Sequence, residues 1–125
     1  MPRPIKLVFT GLLIAACLLP ATAAAASQRS CHSSDLRYPF QSGGPQTFGV
    51  FELATTHGSC ATAHAVAKAW MSRFETAFRA GHLIMPRSVD GFHFRTVPAH
   101  EAQAFRERGD MGATTVSFLY RIPNG

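Results

Sequence analysis

Between residues 60 and 80, apolar and polar side chains recur with the 3.6-residue period of an α-helix. Steps of four and three residues separate the apolar positions, which are Ala63, Ala67, Trp70, Phe74 and Ala77. Polar side chains keep the same period on the opposite face, namely His64, Lys68, Ser72, Glu75 and Arg79. This pattern predicts an amphipathic helix of about 20 residues, with Ser59 as its N-cap and Gly81 just past its end.

Three other segments have the composition or the alternation of β-strands. Residues 47–53 are rich in aromatic and β-branched side chains, and Gly49 indicates a bulge or a close approach of another backbone. Residues 91–97 alternate between apolar and polar side chains. Residues 114–122 alternate more regularly, and their apolar face holds Thr114, Val116, Phe118, Tyr120 and Ile122. We expect a strand in each segment.

Residues 101–106 are predicted to pair with the last strand as a hairpin, with Arg108–Gly112 as the connecting turn. Arg108, Gly109 and Asp110 also spell an integrin-binding tripeptide. Because glycine and aspartate are the residues that a turn requires, we assign the tripeptide to the turn and not to cell adhesion.

The order strand, helix, strand, strand, strand predicts an α+β fold in which one amphipathic helix packs on a small antiparallel sheet. We divide the chain into a signal peptide at 1–26, a flexible segment at 27–46 that Cys31 tethers, and a small α+β domain at 47–125. The sequence contains no internal repeat and no indication of a second domain.

The first 26 residues have the pattern of a cleavable secretion signal. Two cations, Arg3 and Lys6, precede an apolar run at 7–19, which is too short for a membrane-spanning helix of about 20 residues and right for a signal-peptide core of roughly 7 to 15. Small residues follow, and we predict cleavage between Ala26 and Ser27. The mature chain is therefore expected outside the cell, without a membrane span.

A lipid anchor is the alternative for this leader. Residues 14–17 fit the spacing at which a bacterial lipoprotein is cut before a cysteine, which would make Cys17 the lipidated residue. Leu18 and Leu19 continue the apolar core after Cys17, whereas a lipoprotein normally turns polar there. We therefore favour cleavage after Ala26.

The charge of the mature chain is modest. The formal net charge of +5 includes Arg3 and Lys6, so removal of the leader lowers it to about +3. The remaining arginines are spread along the chain without a run. This distribution argues against a nucleic-acid partner and against a polybasic membrane contact.

Two cysteines, Cys31 and Cys60, remain after the leader is removed. An even pair in an oxidising compartment predicts one disulfide. Such a bond would close a loop of about 30 residues and stabilise a small domain by roughly 3 to 4 kcal/mol.

Two other chemistries compete for Cys60. A cysteine at a helix N-terminus has a lowered thiol pKa and is a candidate nucleophile, with His93 or His100 as its base. His57 and His64 flank Cys60 at a spacing that a zinc site could use. Because an exported cysteine pair prefers a disulfide, we assign no catalytic residue, no metal and no cofactor.

Residues 58–63 and the strands around them resemble a family of small secreted actinobacterial proteins. That family has a helix start of the form G-x-S-C-A-x-A, which Gly58–Ala63 match without the spacer residue, and a later G-[WF]-x-C strand, which Gly91–Phe94 match except for the cysteine. The family often carries a second cysteine pair where this chain has Phe94 and Phe105. The resemblance implies an aromatic contact there, a secreted location and no specific activity.

From these observations we expect a secreted, disulfide-stapled binding module. Its partner would be a protein or a component of the cell envelope, and it would have no enzymatic activity. The alternative is a small thiol hydrolase or acyl-transferase that uses Cys60.

Overall fold

The structure is a computed structural model that describes residues 27–122, together with the isolated positions Pro2, Pro4 and Gly11. The predicted apolar leader core, Cys17 and Ala26 lie outside the described residues, so the signal peptide and its cleavage stay predictions. No helix in the described part of the chain is long and apolar enough to span a membrane.

One helix and seven strands make up the described chain. The helix α1 is Cys60–Arg79, and a 3-10 turn occupies Ser34–Leu36. The strands are β1 (Arg29–Ser30), β2 (Arg37–Pro39), β3 (Gln46–Thr56), β4 (Ser88–Val89), β5 (Phe92–Pro98), β6 (Ala104–Met111) and β7 (Thr114–Arg121).

All strands belong to one antiparallel sheet with the order β1-β3-β7-β6-β5-β4, and β2 also pairs with β3. The four longer strands follow the predicted order around the helix. The α+β prediction is therefore confirmed, with three short strands that the sequence did not indicate.

Helix α1 begins and ends where the sequence indicates. The hydroxyl of Ser59 accepts a hydrogen bond from the Thr62 backbone N–H, and Gly81 adopts a φ of 85°. The N–H of His82 donates to the Ala77 carbonyl, and that of Gly81 donates to the Phe78 carbonyl. This pair of bonds is a Schellman motif, which closes the helix at a left-handed residue.

The core lies between α1 and the helix-facing side of the sheet. Trp70 and Phe74 are fully buried and make edge-to-face contacts with Tyr120 at centroid distances of 5.1 and 5.0 Å. Ala63 and Ala67 are also fully buried. Their small side chains let the first half of the helix approach the sheet, while the aromatic rings fill the space beside its second half.

Residues 27–46, predicted as a flexible segment, contain β1 and β2, the 3-10 turn between these two strands and the first residue of β3. The close approach predicted at Gly49 is the reason the turn fits. A Cβ atom on Gly49 would lie 2.0 Å from the Leu36 carbonyl oxygen. Leu36 and Ser33 are buried as a result.

The predicted turn at Arg108–Gly112 is wrong. Strand β6 continues through Met111, which pairs with Thr114, so the chain reverses at Gly112 and Ala113. Gly109 is needed for packing and not for a turn, because a Cβ there would lie 2.5 Å from the ring of Phe94. The Arg-Gly-Asp tripeptide therefore lies in a strand with neighbours on both sides.

The aromatic contact expected between Phe94 and Phe105 is also wrong. Their cross-strand partners between β5 and β6 are Gly109 and Pro98, respectively. Phe94 packs against Phe118 at 6.0 Å, whereas Phe105 packs against Phe74 on the helix at 6.4 Å. The two rings thus fill different parts of the core.

Candidate functional site

The predicted disulfide is present between Cys31 and Cys60, whose Cα atoms are 5.3 Å apart. Cys60 is the first residue of α1, and the Cys31 backbone N–H donates to the Leu53 carbonyl at 2.7 Å. The disulfide therefore ties the N-terminal segment to the helix start, and the backbone hydrogen bond ties it to β3. A sulfur held in a disulfide carries no thiolate, so the chemistry proposed for Cys60 as a nucleophile requires a reduced form.

The histidines considered beside Cys60 have other surroundings. His64 Nε2 lies 2.6 Å from Asp35 Oδ2, and this hydrogen bond lowers the pKa of Asp35. His93 and His100 are exposed, the first on β5 and the second in the loop after it. Among the described residues, no three histidine, cysteine or acidic side chains are grouped as a metal site would need.

A groove of about 430 Å³ opens between the second half of α1, strand β2 and strand β7. Its lining combines three aromatic rings, one aliphatic side chain, one acid and one base: Tyr38, Glu75, Phe78, Arg79, Tyr120 and Ile122. Binding sites for small ligands typically have this composition, with apolar walls and a few convergent polar groups. We call this feature the Tyr-Glu groove.

Two tyrosine hydroxyls donate to the same carboxylate oxygen in this groove. Tyr38 and Tyr120 reach Glu75 Oε1 at 2.7 and 2.8 Å. The other oxygen, Oε2, has a longer contact of 3.4 Å with Arg79, one helical turn further on. The carboxylate is therefore held rigidly on one side and loosely on the other.

Burial keeps both phenols protonated. It raises the pKa of Tyr38 above its usual value, and it raises the pKa of the fully buried Tyr120 strongly. A phenol is already protonated near neutral pH, and the raised pKa values extend this donor state to higher pH. This protonation state suits them to orient Glu75 and makes neither of them a base or a nucleophile near neutral pH.

Three different elements supply the polar groups of the groove. Tyr38 is in β2, where it pairs with Phe48 of β3, and Tyr120 is in β7 opposite Val50. Glu75 reaches them from α1. The groove therefore exists only when the N-terminal segment is seated on the sheet.

The sequence patterns did not indicate this site, although four of its six lining residues, Glu75, Arg79, Tyr120 and Ile122, lie in the predicted helix and last strand. They placed Glu75 on the solvent face of the helix and Tyr120 in the core, and they assigned Tyr38 to a flexible segment. The helical period alone could not show that Glu75 borders the apolar stripe. The composition offered one further hint, because the chain has only two tyrosines. Both of them lie in this groove.

The face of the sheet opposite the helix gathers arginines that are far apart in sequence. Arg37 and Arg121 both contact the Phe51 ring, with their guanidinium carbons 4.4 and 4.2 Å from its centroid. Arg121 also binds Glu101 through two nitrogens, and Arg106 binds Glu52 at 2.7 Å. Arg121 and Arg106 are thus paired with acids, whereas Arg37 donates to the Val50 carbonyl and the Ser33 hydroxyl. These arginines therefore form a mixed network of charged and polar groups and not a uniformly basic surface.

Comparisons with protein families, with curated proteins and with solved structures found no match for this chain.

Proposed function

We propose that this protein is exported and acts outside the cell as a small, disulfide-stapled binding module without enzymatic activity. Its partner is a protein or a component of the cell envelope, and its binding site is the Tyr-Glu groove. The observation that carries the assignment is the convergence of Tyr38 and Tyr120 on Glu75 Oε1 within an open, aromatic-lined groove.

Export is supported by the leader pattern and by the cysteine chemistry. The Cys31–Cys60 bond is the kind of crosslink that persists in an oxidising compartment. The bond also accounts for Cys60 at the helix start without a catalytic role. The resemblance to secreted actinobacterial proteins points the same way and supplies no activity.

A binding role is supported by the state of the polar groups in the groove. Both phenols are already used as donors to Glu75, and their raised pKa values leave them without a basic form near neutral pH. Phe78, which is 41% exposed, adds an aromatic surface at the rim. Such a site is equipped to recognise a ligand by shape and hydrogen bonding.

Export is tested by expressing the whole chain with its own leader in a bacterial host. We expect the exported protein to begin at Ser27 and to have a mass about 2 Da below that of the reduced chain, because oxidation removes two hydrogens. A protein retained with lipid on Cys17, or one whose Cys60 is free and rapidly alkylated, would contradict the proposal. The second result would favour the thiol enzyme.

Binding is tested by measuring retention of the exported protein on isolated cell-envelope fractions. The variant Phe78→Ala removes the rim of the groove, and Phe40→Ala removes an exposed ring of the same size elsewhere. We expect only Phe78→Ala to reduce retention. Equal retention of both variants and the unaltered protein would show that the groove is not the binding site.

A further inference from the structure

The two oxygens of Glu75 differ in how firmly they are held. Oε1 accepts hydrogen bonds from Tyr38 and Tyr120, both at or below 2.8 Å. Within the described part of the chain, Oε2 has a single polar contact, 3.4 Å from Arg79. The side chain of Arg79 is 76% exposed, whereas that of Glu75 is 17% exposed. Exposed ion pairs of this kind are weak, because each side chain loses entropy when it is held in one position. Oε2 is therefore an acceptor that another cation can take over.

The walls around this oxygen also favour a cation with an apolar body. The ring of Phe78 stacks on buried Phe74 at 5.8 Å, which fixes it at the rim. Ile122 adds an aliphatic side chain to the lining of the groove. Aromatic faces attract cations through the negative charge of their π-electrons, and the aliphatic surface can cover a hydrocarbon chain or ring.

We propose that the Tyr-Glu groove binds a small organic amine whose ammonium group takes the place of Arg79 at Glu75 Oε2 and whose apolar body lies against Phe78 and Ile122. This inference rests on the proposed function, because it names the ligand class of the same groove. The volume of about 430 Å³ suits a ligand of this size. A neutral ligand gains less from Oε2, and an anion is repelled by it.

Three probes with one skeleton and different charges test the ligand class. They are phenethylammonium, 2-phenylethanol and 3-phenylpropionate, titrated into the exported protein with its disulfide intact. Trp70, the single tryptophan, lies 5.1 Å from Tyr120 and reports binding by fluorescence. We expect phenethylammonium to bind at least about tenfold more tightly than the other two, which corresponds to one charge-assisted contact.

Two variants test the position of the ammonium group. Arg79→Ala removes the competing cation and is expected to tighten phenethylammonium binding by roughly two- to fivefold. Lys68→Ala removes one exposed charge from the same helix, away from the groove, and is the control for net charge. Glu75→Gln keeps an acceptor for the tyrosines but loses the charge, and it should weaken binding about tenfold.

The outcomes separate this inference from the function on which it rests. If 2-phenylethanol or 3-phenylpropionate binds as tightly as phenethylammonium, or if Arg79→Ala has no larger effect than Lys68→Ala, the amine inference is overturned while the groove remains a binding site. If no probe changes Trp70 fluorescence and Phe78→Ala retains full envelope binding, both the inference and the proposed site are overturned.

Discussion

The hydroxyl of Thr96 donates a 2.6 Å hydrogen bond to Oε1 of Glu107, a carboxyl group that is fully buried on β6. Its other oxygen, Oε2, has no hydrogen-bond partner among residues 27–122. Burial raises the pKa of Glu107 to about 7, and the bond from Thr96 offsets only part of that effect. A carboxyl group in this position is more stable as the neutral acid.

Stability should therefore fall as the pH rises through this range. The folded protein binds the Glu107 proton up to a pKa of about 7, whereas the unfolded chain releases it near 4.5. The contribution is fully present below pH 4.5 and is lost as the pH rises through about 7, and it is on the order of 3 kcal/mol. Urea unfolding at a series of pH values measures it.

Glu107→Gln isolates this contribution, since the amide resembles the neutral acid. We expect its unfolding free energy to vary less between pH 4.5 and 7 than that of the unaltered protein, because the variant lacks the carboxyl group that titrates there. Glu101→Gln is the control, because Arg121 lowers the pKa of exposed Glu101 and its titration falls below this window. Identical pH profiles for Glu107→Gln and the unaltered protein would contradict the prediction.

Reduction of the Cys31–Cys60 bond should destabilise the domain strongly. The bond joins residues 29 positions apart in sequence, and the loop-entropy model gives a loss of roughly 3 to 4 kcal/mol. Unfolding of the Cys31→Ser/Cys60→Ser double variant measures the loss without a reductant present. An unchanged unfolding curve would show that the N-terminal segment is held by its strand pairing alone.

Gly49→Ala should be far more costly than Gly112→Ala, although both glycines have positive φ values of 101° and 58°. A Cβ at Gly112 meets no described residue within 4 Å, so that variant carries mainly the left-handed backbone cost of about 1 kcal/mol. At Gly49 the Cβ would lie 2.0 Å from the Leu36 carbonyl oxygen. We expect a further loss of at least about 2 kcal/mol, measured by thermal unfolding, and equal losses would contradict the close approach.

The two tyrosines should ionise only at unusually high pH. Because the chain has no others, absorbance at the phenolate wavelength reports on the Tyr-Glu groove alone. We expect the native protein to form less phenolate than the urea-unfolded chain at every pH between about 9 and 11, since both pKa values are raised. Coincident titration curves would show that the hydroxyls are not bound to Glu75 in solution.

Local sequence patterns were sufficient for the helix and the main strands. Ser59 and Gly81 mark the two ends of α1, because capping depends on a few neighbouring residues. The eight residues of β7 alternate between its two faces with one exception, the apolar Leu119. The local pattern predicted a turn at Gly109, which lies inside β6. Glycine is required there because the ring of Phe94, a residue 15 positions earlier, leaves no room for a Cβ. Such a requirement leaves no local trace in the sequence.

The candidate groove was beyond prediction for a related reason. Tyr38 lies in a three-residue strand that exists only because Gly49 lets the Leu36 carbonyl approach β3. Without that contact, nothing places Tyr38 beside Glu75. The site depends on segments that meet across 37 and 45 residues of sequence, and single-segment periodicity carries no information at that distance.

The short strands β1 and β2 have one more consequence. Both pair with the same edge of β3, on the side away from β7, so an eleven-residue strand is covered in two places by the N-terminal segment. Exposed edges of that length recruit strands from other molecules and start aggregation. The Cys31–Cys60 bond holds this segment over the edge of β3 and therefore also limits self-association of the sheet. A protein without this bond would be prone to form intermolecular β-structure.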